Sequence, residues 1–243
     1  YYPAKEIEYY TVDAKSNEYL NERLKVLEQL VNTSEQTLVV MSTDALLQFT
    51  IDYDAYVSSI MTMTVGDSYP IEALAKRLVE MGFVREEMVE GPGQFSIRGG
   101  ILDVFTPSAD NPCRIEFFGD EVDSIREFDP MTQVSIEPLD TVTFSAVDEE
   151  YHVKDGYPSV LQYISRKAVV LMDEPHRVAE RAQGLAWDVE ETVKALLEKE
   201  VISEAKEQYI HNFESTLSAL LAHPFVGLYA LPHSCKEYRP KAS

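Results

Sequence analysis

The chain is short of cysteine, of basic charge and of long apolar runs, and each shortage closes off a class of function. Its two cysteines, Cys113 and Cys235, cannot build a disulfide framework, and nothing near either has zinc-ligand spacing. Such sparse cysteine points to a reducing compartment, so a cytoplasmic location is expected. No apolar stretch approaches the roughly 18 residues that cross a bilayer. The opening YYPAKEIEYY also lacks the basic region and apolar segment of a secretory signal. No membrane partner is expected. Lysine and arginine number 21 against 42 aspartates and glutamates, a formal charge of −21. That balance repels phosphate backbones and favours a basic protein partner, which argues against autonomous nucleic-acid binding.

Signatures of catalysis are equally scarce. His152, His176, His211, His223 and His233 are dispersed, with no pair at metal spacing on one helix and no G-x-S-x-G nucleophile turn. The run VVLMDEPHR sets Asp173 and Glu174 after an apolar strand, where nucleotide hydrolases place magnesium-binding acids. No phosphate cradle of the form G-x-x-x-x-G-K-[ST] accompanies it. Without a cradle the acidic pair has no nucleotide to serve, and the favoured reading is an Asp-Glu-Pro helix start beside a helix dipole. No catalytic residue, cofactor or metal is assigned.

What the chain does have is an apolar fraction of 45% and 14 tyrosines, enough to fold one or two domains. Leu20, Leu24, Leu27 and Val31 recur at helical spacing behind a possible N-cap at Ser16. TLVVM from Thr37 then reads as a fully buried strand, and TDALLQF as a short helix capped by Ser42 or Thr43. A helix opens at Pro70, carries Ile71, Leu74, Leu78 and Met81 on one face, and stops at Gly82. Between Val84 and Ala146 the pattern turns to five or six short, mostly antiparallel strands separated by Gly, Pro, Asn and Asp. After Tyr157 the α/β pattern returns with PSVLQYI, a buried strand AVVLM and a long charged helix through Trp187, expected to be a packing residue. The organisation expected is an α/β segment over 1–66, a β-rich α+β insert over 67–146, a second α/β segment over 147–234 and a tail over 235–243.

Within the insert, QFSIRGGILDVF places Phe95 and Ile97 on one face and Gln94, Ser96 and Arg98 on the other. Gly99 and Gly100 permit a tight turn with positive φ. In RIEFFGDEVDSIREF, a turn centred on Gly119 and Asp120 sets Phe118 opposite Glu121 and Phe117 opposite Val122. Ile115 and Phe117 then face the core. Arg114, Glu116, Phe118, Glu121 and Asp123 face out, and an arginine beside an outward aromatic ring makes a candidate interface hot spot. Glu116, Glu121 and Asp123 should partly neutralise Arg98 and Arg114, and Arg98, farther from acids in sequence, ranks with Phe118 as the stronger anchor.

The run GQFSIRGGILDVFTPSADNPCRIEFFGDEVDSIREFDPMTQVSIEPLDTVTFSA resembles the second domain of the Mfd family of bacterial transcription-repair coupling factors, and less closely the matching domain of UvrB. YPAKEIEYYTVDAKSNEYLNERLKVLEQL and VVLMDEPHRVAERA are similar to the first domain of the same family, which this insert splits. The resemblance implies an incomplete helicase-like α/β domain with degenerate ATPase motifs, whose phosphate-loop counterpart would lie upstream of Tyr1. UvrB grips damaged DNA with a tyrosine-rich hairpin for which the opening segment leaves no room. In this family the second domain docks UvrA through two arginines and an aromatic residue that match Arg98, Arg114 and Phe118, a surface masked by another domain until stalled RNA polymerase is engaged. The regions that bind RNA polymerase and drive DNA translocation match nothing in this chain. The expected function is recruitment of UvrA without catalysis. The alternatives are an ATP-dependent DNA motor or UvrB-like damage binder, and a purely structural module with no affinity for UvrA.

Overall fold

A computed structural model of the chain describes residues 1–10, 18–149 and 158–230. Ser16, Cys235, His152, His233 and the tail 235–243 lie outside the described residues. In chain order come helices α1 (Glu18–Asn32), α2 (Thr43–Leu47) and α3 (Tyr53–Ser59), strand β1 (Met61–Thr64) and helix α4 (Ile71–Glu80). Strands β2 (Val84–Arg85), β3 (Gln94–Arg98), β4 (Ile101–Phe105), β5 (Cys113–Phe118), β6 (Glu121–Phe128), β7 (Ser135–Leu139) and β8 (Thr141–Phe144) follow. After a 3-10 turn at Val160–Tyr163 the chain forms β9 (Val170–Asp173), α5 (Pro175–Glu198), α6 (Phe213–Leu220) and β10 (Phe225–Leu228). This is a mixed α/β fold with several sheets, packed as two units: described residues 1–10, 35–49 and 159–230 form one, and 18–34, 50–149 and 158 the other.

In the first unit, β9 and β10 pair in parallel from Val170 opposite Phe225 to Asp173 opposite Leu228. Leu47 of α2 packs with Ala182 and Leu185 of α5, and Ile7, Ile210 and Phe213 close round them. Ser42 is the cap that α2 uses, its Oγ accepting from the Ala45 N–H at 3.2 Å. The buried strand expected from Thr37 does not form. Among the described residues the segment makes one parallel bridge, Met41 to Tyr2, and Leu38 is 76% exposed. AVVLM does form a strand, but with a single strand neighbour among the described residues only Met172 is buried while Val169 and Leu171 are exposed. Trp187 is exposed as well. It lies two residues from Leu185, about 200° round the helix from the face that α5 buries.

The second unit is built on a six-stranded sheet ordered β2-β3-β4-β5-β6-β7, antiparallel except where β2 joins β3. Phe95, Leu102, Val104, Ile115, Val122, Ile125 and Phe128 are buried in it. Each such apolar side chain contributes roughly 1.5–3 kcal/mol relative to exposure. Strands β1 and β8 form a separate antiparallel pair. Leu74 and Leu78 bury the apolar stripe of α4, and the chain leaves that helix through Met81 and Gly82, whose φ is +95°. The helix α1 turns Leu24 and Leu27 inward together with fully buried Arg23, which donates from Nε to Glu149 at 2.8 Å. Thr50 donates to the same carboxylate oxygen at 2.8 Å.

Candidate partner-docking face

Two hairpins position the candidate residues. In the first, Arg98 pairs with Ile101 across a turn in which Gly99 takes φ +62°. In the second, Phe118 lies opposite Glu121 and Phe117 opposite Val122, the register that a Gly119-Asp120 turn requires, with Gly119 at φ +66°. Next along, Glu116 pairs with Ser124, so Asp123 is left over as a bulge.

The antiparallel register then lines up Ser96, Asp103, Arg114 and Arg126 as directly opposed neighbours across β3, β4, β5 and β6. Arg114 and Arg126 are like charges facing each other, an arrangement that repels unless each has its own acid. Each does. Arg114 donates from Nε and Nη2 to the two oxygens of Asp103 at 2.7 and 2.8 Å, and from Nη2 to Gln133 at 2.7 Å. Its guanidinium also stacks 4.3 Å from the centre of the Phe128 ring. Arg126 donates to Glu116 at 2.6 Å, and Ser124 to the other oxygen of that carboxylate at 2.9 Å. These two bonds, Arg126 first, pull the Glu116 carboxyl down to about 2.

Asp103 carries a second arginine. Arg98 Nη2 donates to its Oδ2 at 2.6 Å, so one carboxylate with 1% exposure joins two arginines from the strands on either side. The pattern ILDVF hides this role, since a lone acid between leucine and valine looks like a solubilising residue. Its partners emerge only once register is known. Of the acids expected to neutralise these arginines, Glu116 is bonded to Arg126 and acts on Arg114 through its charge, while Asp103, which is not among them, holds Arg114 directly. The distance of Arg98 from acids is corrected, because it was a distance in sequence and the strand turn brings Asp103 into contact.

Exposure separates the three candidates. Phe118 is 82% exposed, Arg98 is 44% exposed along its side chain, and Arg114 only 13%. Ser96, expected outward, is on the polar side but covered, its Oγ donating to the Glu87 carbonyl at 2.9 Å. The covering segment and Arg98 line an open groove of about 1090 Å³ that Met88 and Ile97 also enter. On the other flank, the turn 129–134 is fixed by Asp129, which accepts from the Met131 and Thr132 N–H groups at 2.8 and 2.9 Å. Those two bonds hold its carboxyl below the usual range.

Of the acidic pair outside this sheet, Glu174 serves the backbone. Glu174 caps α5 in the left-handed region at φ +48°, with Pro175 in the first turn, and its Oε1 accepts from the Ala230 N–H at 2.6 Å. Among the described residues no group of three His, Cys, Asp or Glu side chains is placed to hold a metal ion, and no helix is long and apolar enough to cross a membrane.

Residues 61–149 match the family model described as the UvrB interaction domain. The transcription-repair-coupling factor of Bacillus subtilis (strain 168) is 39% identical over 148 residues, which is 61% of this chain and 12% of that protein. That of Mycobacterium tuberculosis (strain CDC 1551 / Oshkosh) is 36% identical over 143 residues, 56% of the chain and 12% of the relative. A Staphylococcus epidermidis relative of the same name (strain ATCC 12228 / FDA PCI 1200) is 33% identical over 167 residues, 69% and 14% respectively. The chain thus spans about one eighth of the length of these relatives.

Proposed function

We propose, for a chain related to the bacterial transcription-repair-coupling factors, that it is a non-catalytic recruitment module that docks the excision-repair protein UvrA. Docking uses the polar face of the β3–β6 sheet, with Phe118 and Arg98 as the contacts and Arg114 behind them. The observation that carries this reading is the 82% exposure of Phe118 at a hairpin tip, on the same face as the hydrogen-bonded arginine cluster and inside the stretch matching a UvrB interaction domain. An aromatic ring beside arginines on an exposed sheet has the composition of an interface hot spot.

The proposal extends to the organisation of the chain. The stretch 67–146 is an insert in a helicase-like α/β domain supplied by 1–66 and 147–234, and 235–243 is a tail or linker. Contacts with RNA polymerase and DNA belong to other parts of the full-length factor, which acts in the cytoplasm. A non-enzymatic role is supported by Glu174, whose carboxylate is spent on the Ala230 backbone. The test is a calorimetric titration of UvrA into the parent chain and into an Arg98→Glu, Phe118→Ala double variant whose circular dichroism is unchanged. Binding by the parent and its loss in the variant is the expected result; equal binding by both refutes the site, and no binding by the folded parent refutes the function.

A further inference from the structure

We infer that Asp103 is the positioning residue of the docking face: it pre-sets the Arg98 guanidinium for the partner and couples it to Arg114. This rests on the docking function proposed above. Asp103 is almost fully buried, yet it lies on the polar side of the sheet, where alternation opposite Leu102 and Val104 puts it. Each of its oxygens is used. Oδ1 accepts from Arg114, and Oδ2 accepts from both Arg114 and Arg98.

Two positive charges against one negative leave the trio with a net charge of +1, and exposure says where that charge is presented. Arg114 is stacked on Phe128, bonded twice to Asp103 and once to Gln133, so it acts as a buttress and offers a partner little surface. Arg98 spends only Nη2 on Asp103 and has 44% of its side chain in the open, beside the groove. A free surface arginine must give up rotamer freedom when it binds, whereas one already tethered has lost it in the unbound protein. The partner group that fits is a carboxylate, which a planar guanidinium takes through paired N–H donors. Arg114 therefore contributes to docking through Asp103 and not by touching the partner.

The experiment is a double-mutant cycle on the intact chain, titrating UvrA into the parent, Arg98→Ala, Asp103→Asn and the combined variant, with a thermal melt of each. Asp103→Asn is expected to weaken binding by about tenfold. Arg98→Ala should cost about tenfold in the parent but less than about twofold in the Asp103→Asn background. An ion pair that only stabilised the fold would shift the melt without that coupling. Should Asp103→Asn fail to fold, ¹⁵N relaxation of the Arg98 Nε–H in the unbound parent decides: an order parameter above about 0.6 is expected, and one below it overturns the positioning role. A folded Asp103→Asn variant that binds as tightly as the parent, or equal Arg98→Ala costs in both backgrounds, also overturns it. If the parent binds and Phe118→Ala abolishes binding, docking survives that loss; if the parent does not bind, docking and positioning fall together.

Discussion

Phe118, Arg98 and Arg114 share one face of the sheet but differ in what they can offer a partner. Phe118→Ala removes a ring that packs little within the chain, so it should lower UvrA affinity by about 2 kcal/mol or more while leaving the melting temperature unchanged. Arg114→Ala should do the reverse first: it strips the bidentate partner from a buried carboxylate and should cost about 3–5 kcal/mol of stability, read by urea unfolding. Glu116 supplies a pH signature. Its folded carboxyl titrates at about 2 against an ordinary 4.5, so its contribution is present above the ordinary value and lost as pH falls through 2. Melting of the parent and of Glu116→Gln should therefore differ at neutral pH and converge between pH 4.5 and 2. Period-two alternation puts Arg98, Arg114 and Phe118 on the polar face, and the family resemblance is what joins them as docking candidates. Alternation was not enough to find Asp103, whose meaning depends on which strands lie beside it.

At the scale of elements, hairpins were more legible than isolated strands. A two-residue turn fixes register by itself, so the pairing of Phe117 with Val122 follows from Gly119 and Asp120 alone. An apolar run such as TLVVM says only that a strand would be buried if neighbours covered it, and here Met41 makes a single bridge to Tyr2. The end of α4 gives a sharper case. At Gly82 a Cβ would come within 2.5 Å of the Asp148 Cβ, whereas at Gly66, with φ +92°, it would meet nothing within 4 Å. Gly66→Ala should cost about 1 kcal/mol of left-handed strain, and Gly82→Ala clearly more, about 2–4 kcal/mol, in parallel urea melts. Arg23 was hidden for another reason. On a stripe of leucines it reads as a flanking charge, while its partner Glu149 is 126 residues away.

Across the whole molecule the charge of −21 and the local arginine cluster act at different ranges. The net charge governs what the chain avoids, and no salt-dependent retention of duplex DNA is expected near 0.15 M salt in a gel-shift titration. On the proposed docking function the cluster sets what is chosen at contact, where a desolvated arginine pair counts for more than an exposed one. Amide hydrogen exchange of the intact chain with and without UvrA decides whether docking falls on this face. Slowed exchange centred on 94–98 and 114–121, the two hairpin arms that carry Arg98, Arg114 and Phe118, is the result this account predicts. Unchanged exchange there, with slowing confined to other segments or seen nowhere, would contradict it.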